Sequence, residues 1–460
     1  MFISYFYRMK NLLTVLIFLA ASAVFSQNAD SLILRKIFEN AINSKDAYNN
    51  LEYLCNETPG RLMGSESSIK ALNYLKSYFE KLDVDTVYLQ AYKTDSWRCN
   101  SSSVIIKSPE GDIELSAVVL GPSAKTYGDG ITANVIEVQS IEELNKMERS
   151  EIKGKVVFFN RPVKNTFTDT FQMYSEAVDQ RARGPEAAME KGAVAAIVRS
   201  VTSLSDDVPH SGSTHFDKDR IPALALGVKS ADKLSEMLKN DIFLNLNIKV
   251  DAEILTNITT YNLIAEIKGH EKPKEVILVG GHIDSWLNTA GAHDDGAGIV
   301  QTGDVLRIFK ELQIQNKRTI RFVAFMDEEY TQSGGKHYAE SIDTLVERPY
   351  FALEADAGAF TPTGFTFTST EAQLELFKTF KPLLEPYGIK FIQAGWGGVD
   401  IYPLKKFNIP LTAFRTDTHR YFDLHHSAND TFDKINFREL QMGTTCISGL
   451  IFLTDKYGDW

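Results

Sequence analysis

The chain has 460 residues, 43% hydrophobic and 24% charged, an ordinary composition for a folded protein and enough length for two or three domains with sizeable cores. A net charge of −11 excludes a nucleic-acid binder, because a phosphate backbone requires a basic surface. The three cysteines, Cys55, Cys99 and Cys446, are too few for a disulfide scaffold; Cys55 and Cys99 could pair in an exported protein, while Cys446 sits in an apolar helical pattern as a small core residue.

At the N-terminus, Arg8 and Lys10 precede an apolar run from Leu12 to Phe25, with small residues at Ala23 and Ser26. This pattern predicts a cleavable signal peptide over 1–26 and export to the periplasm or the extracellular space. MKNLLTVLIFLAASAVFS, beginning at Met9, is complete by itself as such a signal. The run is short for a membrane span, no later stretch is apolar for long enough, and no cysteine follows it to carry a lipid.

From Ser31 to Leu54 the chain is mostly helical, a turn-rich loop (NETPGRLMG) follows, and Ser65 to Leu82 is amphipathic at helical spacing. Strand-like runs then cover 86–91, 103–107 and 113–120. From about Gly121 the character shifts. Short strands at 134–138, 155–159, 194–198 and 223–228 alternate with helical stretches at 183–191 and 230–239, and the polar segment Asp206 to Phe216 reads as an exposed loop holding His210 and His215. This block, 121–257, reads as an inserted module without chemistry of its own. From Tyr261 strands at 262–267, 276–279, 320–325, 349–353 and 409–414 alternate with helices at 299–312, 335–341, 371–384 and 436–454. That alternation predicts an α/β fold, a mostly parallel mixed sheet sandwiched by helices. The expected domains are one α/β domain in two parts, 27–120 and 258–460, around the inserted block.

Ligand-type residues recur just past the ends of predicted strands: His282 and Asp284 with Asp294, Asp327-Glu328-Glu329, Glu354 and Asp356, and His425-His426. One acidic pair after a strand is usually a solvated loop. Groups of metal-ligand type, all on one edge of one sheet, are harder to dismiss, since open α/β sheets place their chemistry there. Two histidines and three carboxylates suit a pair of zinc ions sharing one bridging carboxylate. Three carboxylates and a hydroxide cancel the four positive charges, so the cluster can sit partly buried, and Glu328 is left free as a base.

The motifs GGHIDSW, HDDGAG, DEEYTQSGG, EADAG and HHSANDT resemble those of the two-zinc aminopeptidase and glutamate carboxypeptidase family. EADAGAFTPTGFTFT and LHHSANDT are most similar to its carboxypeptidase Q branch (plasma glutamate carboxypeptidase). GKVVFFNRP, EAAMEKGAVAAIV and IPALALGV in the middle block resemble a protease-associated domain. The resemblance implies an exported metallopeptidase with two Zn2+ ions per chain, cleaving dipeptides or short peptides with free termini. It implies His282 and Asp356 on one zinc, Glu329 and His426 on the other, Asp294 as the bridge, Glu328 as general base and Asp284 as the carboxylate behind His282. It also implies a cis peptide between Asp294 and Asp295. Tyr421 is the candidate oxyanion donor. His425 should point away from the site, because neighbours on an extended backbone alternate, and Asp295 and Glu354 should satisfy backbone groups rather than bind metal. Peptides are the implied partners, with a homodimer left open. An aminopeptidase of the same family, a one-zinc glutaminyl cyclase and a non-catalytic binding protein are the alternatives.

Overall fold

The structure, a computed structural model, describes residues 29–240 and 244–460, so the expected signal peptide lies outside the described residues. Helices 29–43, Asp46–Glu57 and Glu66–Lys81 come first, the last capped by the Ser65 side chain, which accepts the Ser68 N–H. The strands are β1 (Thr86–Lys107), β2 (Ile113–Leu115), β3 (Ala117–Val119), β4 (Ile131–Val138), β5 (Val156–Phe159), β6 (Ala195–Arg199) and β7 (Ala223–Leu226). They continue with β8 (Asn245–Ile267), β9 (Lys272–His282), β10 (Arg318–Phe325), β11 (Arg348–Glu354), β12 (Pro362–Thr368), β13 (Phe391–Ala394) and β14 (Leu411–Thr416).

Among the described residues these strands form one sheet, in the order β13-β12-β14-β11-β9-β10-β8-β4-β5-β6-β7-β3, with β1 along β8 and β2 on β1. The centre is parallel: β14, β11, β9 and β10 run the same way, so their C-terminal ends share one edge. β10 is buried throughout, because helices cover both faces of the sheet. Helices Glu66–Lys81, Ala297–Glu311 and Phe437–Tyr457 pack on one face, and Tyr338, Ala339, Ile401 and Leu404 on the other. The α/β expectation holds, and no helix among the described residues is long and apolar enough to cross a membrane.

β1 and β8 are far longer than the sequence pattern predicts. They pair antiparallel from Thr86↔Glu266 to Lys107↔Asn245, interrupted by two bulges. The lower end of β8 pairs with β10 and the upper end with β4, so this ribbon is the spine joining the two halves of the sheet. The middle block has cores of its own on either side of β5 and β6, one of them shared with Trp97 and Trp286. β3 pairs with β7, so its sheet draws in residues ahead of 121. Cys55, Cys99 and Cys446 are all free: the first two do not pair, and Cys446 is a fully buried core residue.

Candidate metal centre

The shared strand edge carries the site. His282 is the last residue of β9, Asp327-Glu328-Glu329 follows β10 and Asp356 follows β11. His426 lies beyond β14, after the short helix Tyr421–Leu424, and Asp294 sits in the irregular turn Ala292–Gly296 that opens helix Ala297–Glu311. Backbone contact is close here: a Cβ on Gly298 would lie 1.8 Å from the Ala355 carbonyl oxygen, so only glycine lets the helix start against β11. The Asp294–Asp295 peptide is cis.

Five of the expected residues converge. His282 Nε2 lies 3.2 Å from Asp294 Oδ1 and 3.8 Å from Asp356 Oδ1. His426 Nε2 lies 3.0 Å from Glu329 Oε2 and 3.3 Å from Asp294 Oδ2. Asp294 thus stands between two histidines, each accompanied by a further carboxylate. Asp294 Oδ2, Glu329 Oε1 and Asp356 Oδ1 are buried with no hydrogen-bond partner. Buried carboxylate oxygens without donors are costly unless a cation meets them, and this donor set of imidazole nitrogen and carboxylate oxygen fits zinc.

The electrostatics have the same meaning. Burial raises Asp294, with Asp356 and Asp284 adding to the rise against the pull of His282, and burial together with Asp294 holds Glu329 well above the usual carboxylate range. Burial pushes Glu328 up to about 8, with Asp356, Asp284 and Asp294 adding to it against His282. Burial alone would lower His282, but its contacts with Asp284, Asp294 and Asp356 outweigh it and hold the imidazole well above its ordinary value. Burial, and then His425 and Arg181, keep His426 well below its own.

Asp284 does more than stand behind His282. Its carboxylate accepts the backbone N–H groups of Asp327 (3.0 Å), Glu328 (3.2 Å) and Glu329 (3.4 Å), which fixes the acidic turn. His282 Nδ1 is closer to the Asp284 carbonyl oxygen, 3.1 Å, than to its carboxylate, 3.6 Å. Asp295 accepts the N–H of His282 and of Gly298, and Glu354 accepts those of Val399 and Ile401. Tyr421 is buried on the cavity wall; burial, then Asp294 and Asp356, push its phenol well above the ordinary range, so it stays a donor.

Two residues that the sequence reading leaves without a role hold the metal loop. Arg61, fully buried, donates to the carbonyls of Ile283 (2.6 Å), Ala290 (2.5 Å) and Gly291 (2.7 Å). Asp430 accepts the N–H groups of His293 (2.8 Å) and Asp294 (3.1 Å). Asp430 stands inside the HHSANDT motif; Arg61 has only its place in a glycine- and proline-bearing loop to mark it.

Other expectations need correction. His425 does not point away: its ring stacks on that of His426 at 3.5 Å, and its Nε2 is 3.7 Å from Asp294 Oδ2. The alternation argument fails because His426 has a left-handed φ of +62°, which is not extended backbone. The middle block is not without a part in the chemistry either. Phe171, Tyr174, Arg181 and Ser213 line the metal cavity, about 240 Å³, together with Asp294, Glu328, Glu329 and His426. The segment Asp206 to Phe216 is not an exposed loop: His210, Ser211 and Thr214 are buried. His210 Nδ1 meets the His425 carbonyl at 2.7 Å and Ser211 N–H donates to the His426 carbonyl at 2.8 Å, so the polar backbone is satisfied by the ligand loop. His215 instead faces Asp217 at the surface, so the two histidines of this segment do not act together.

Residues 262–450 match the family described as Peptidase family M28. Carboxypeptidase Q of Xenopus laevis is 32% identical over 404 residues, 87% of this chain and 84% of the relative. The crystal structure of a Peptidase M28 precursor from Shewanella amazonensis superposes with a TM-score of 0.88 at 29% identity, covering 93% of this chain and 97% of the other. BSAP, a zinc aminopeptidase from Bacillus subtilis, shares the fold with a TM-score of 0.68 at 20% identity, covering 89% of this chain and 94% of the other.

Proposed function

This chain belongs to peptidase family M28 and is a metallopeptidase, and on that premise we propose that it is an exported exopeptidase working with two zinc ions on dipeptides and short peptides with free termini. The observation that carries the metal reading is the trio of orphaned buried oxygens on Asp294, Glu329 and Asp356, set against two imidazole nitrogens. In this reading His282 and Asp356 would hold one ion, Glu329 and His426 the other, and Asp294 would serve both. When bound, zinc supplies Lewis acidity, lowering the pKa of water and polarising the scissile carbonyl.

The protein's own groups do the rest. Glu328 faces the same cavity and stands outside the ligand set, so its carboxylate takes a proton from the attacking water and passes it to the leaving amine. Tyr421 donates its phenolic hydrogen toward the oxyanion. Phe171, Tyr174 and Arg181, from the middle block, roof one side of the cavity. We read that block, 121–257, as a protease-associated module whose cover admits a chain end and turns away a chain middle. Residues 1–26 serve as its export signal.

The test uses the purified protein on a dipeptide panel, with and without chelator and added zinc, alongside metal analysis. Two zinc ions per chain and cleavage of unblocked dipeptides, much slower when they are N-acetylated or C-amidated, are expected. One ion or none at saturating zinc, or internal cuts in an unfolded protein, would refute the reading. Retained activity on amidated peptides, with loss only on acetylated ones, would move the enzyme to the aminopeptidases.

A further inference from the structure

Beside the metal cavity lies a second, larger one, about 770 Å³, and the two share Phe171 as a wall. Its floor includes Arg415, on β14. Parallel pairing of β11 with β14 runs as far as Glu354 with Ala413, two residues before Asp356 in one segment and Arg415 in the other. The next residue ties the two strands together: Thr416 Oγ1 donates to the Ala357 carbonyl at 2.5 Å.

The guanidinium of Arg415 is fixed but not neutralised. Its Nε donates to Thr366 Oγ1 at 2.9 Å and one terminal nitrogen, Nη2, donates to the Trp396 carbonyl at 3.1 Å, both uncharged acceptors. The other terminal nitrogen, Nη1, has no partner, and no carboxylate lies within ion-pair distance, among the described residues. The acidic groups on the cavity rim are occupied elsewhere: Asp169 accepts the Phe171 N–H and Asp417 that of His419. Burial holds Arg415 below its ordinary value, against the pull of Asp356, Glu354 and Asp169, which is the mark of a cation short of a counter-ion. The other arginines near the cleft are already engaged. Arg420 is exposed, 3.7 Å from Glu439, and Arg181 packs over Tyr174 behind His426.

We propose that Arg415 forms a carboxylate-receiving subsite beside the metal centre, anchoring the substrate through an anionic group on the leaving-residue side of the scissile bond. The inference rests on the exopeptidase reading and names the chemistry that selects its substrates. A guanidinium held by two neutral acceptors keeps a pre-oriented edge for one carboxylate, and a partly buried charge-assisted bond is strong because little water competes for it. The subsite's carboxylate comes from the C-terminus or from an acidic side chain next to it.

The experiment compares the zinc-loaded wild-type enzyme with Arg415→Gln and Arg415→Lys on three substrates: alanyl-alanine, its C-terminal amide, and alanyl-aspartic acid α-amide, which carries only the side-chain carboxylate. Equilibrium binding of the reduced-bond analogue of alanyl-alanine, which cannot be cleaved, is measured in parallel. Arg415→Gln is expected to lower kcat/KM on a preferred carboxylate substrate by about 10- to 100-fold, mostly through KM, and to weaken the analogue by a similar factor. Its preference over the uncharged amide should fall to near unity, with Arg415→Lys in between. Loss on alanyl-alanine assigns the terminal carboxylate, and loss on the aspartyl amide assigns the side chain; either supports the subsite. If Arg415→Gln does not fold, an intermediate preference in Arg415→Lys supports it and an unchanged preference overturns it. A preference unchanged in both variants overturns the subsite and leaves the exopeptidase reading standing. A wild-type enzyme that cleaves none of the three overturns the reading itself.

Discussion

The metal centre and the roof over it are two walls of one cleft, built by different means. His426 follows β14 only after a further short helix, but His282, Asp294, Glu329 and Asp356 each stand at, or a few residues beyond, the C-terminal end of a parallel strand, or in a glycine-rich turn opening a helix. Each is therefore announced by a local pattern: an apolar run, then a turn, then a ligand-type residue. The roof reaches the cleft by docking. Phe171 and Tyr174 come from one short helix, Arg181 from another, and His210 and Ser211 from a loop that pairs with the ligand loop. Nothing in their spacing announces a shared site, because the distance that matters is across the cleft. Local pattern marks the ligand-type residues; long-range docking brings the opposite wall of the cavity to them.

Four substitutions sharpen this contrast, and the largest effects belong on the sheet side. Glu328→Gln removes the proposed base and keeps the shape, so turnover should fall by about 10²- to 10⁴-fold with the zinc content and melting temperature unchanged. Near-normal turnover would assign the base elsewhere. Tyr421→Phe keeps the buried ring and removes the donor. Turnover should drop by about 10²-fold with KM little changed, and an effect confined to KM would make Tyr421 a wall rather than an oxyanion donor.

Asp284→Asn comes next. The carboxylate now accepts three N–H groups of the Asp327–Glu329 turn, and an amide offers one oxygen and a donor that meets N–H groups head on. Zinc affinity should weaken by about 10- to 100-fold, because the turn carrying Glu329 loosens. A competition titration with a chelator reads this directly, and unchanged affinity would leave Asp284 a merely structural acid.

How far the sequence carried varies for definable reasons. The parallel core strands were legible because burial on both faces leaves continuous apolar runs, as in VILVGGH. β1 and β8 were read only in parts: their middle stretches are a two-stranded ribbon with exposed polar residues, such as TDSWRCNSS, which hides the period of two. β13 leaves no pattern to read, because half of it is exposed and it has only four residues. At the site, residue types at strand ends mark the candidate groups and the family resemblance implies which five act as ligands, but the orientation of His425 depends on a single left-handed residue that no periodicity reveals. Arg61 and Asp430 act by donating to or accepting from backbone, and backbone partners leave no trace in residue identity.

The smallest effect should come from His210→Ala, on the roof side. His210 is buried, and burial keeps its imidazole down near 4, so it is neutral and its Nδ1–H is free to donate to the His425 carbonyl. The bond fixes the loop that carries His426, but it does not act alone. Ser211 N–H and the Asn288 side chain both donate to the His426 carbonyl, at 2.8 Å and 3.0 Å, and remain when the imidazole is gone. One neutral bond among several is worth about 1 kcal/mol, and truncating the ring also leaves a small void between block and loop. KM should therefore rise by about fivefold with zinc content intact, since the loop keeps its position on average but holds it less firmly. Because burial lowers the imidazole to about 4, it stays neutral between pH 6 and 8, and raising the pH across that range should leave the ratio of wild-type to variant KM unchanged. A ratio that moves with pH would mean that His210 titrates in place, and that the roof is open to water where the structure has it closed.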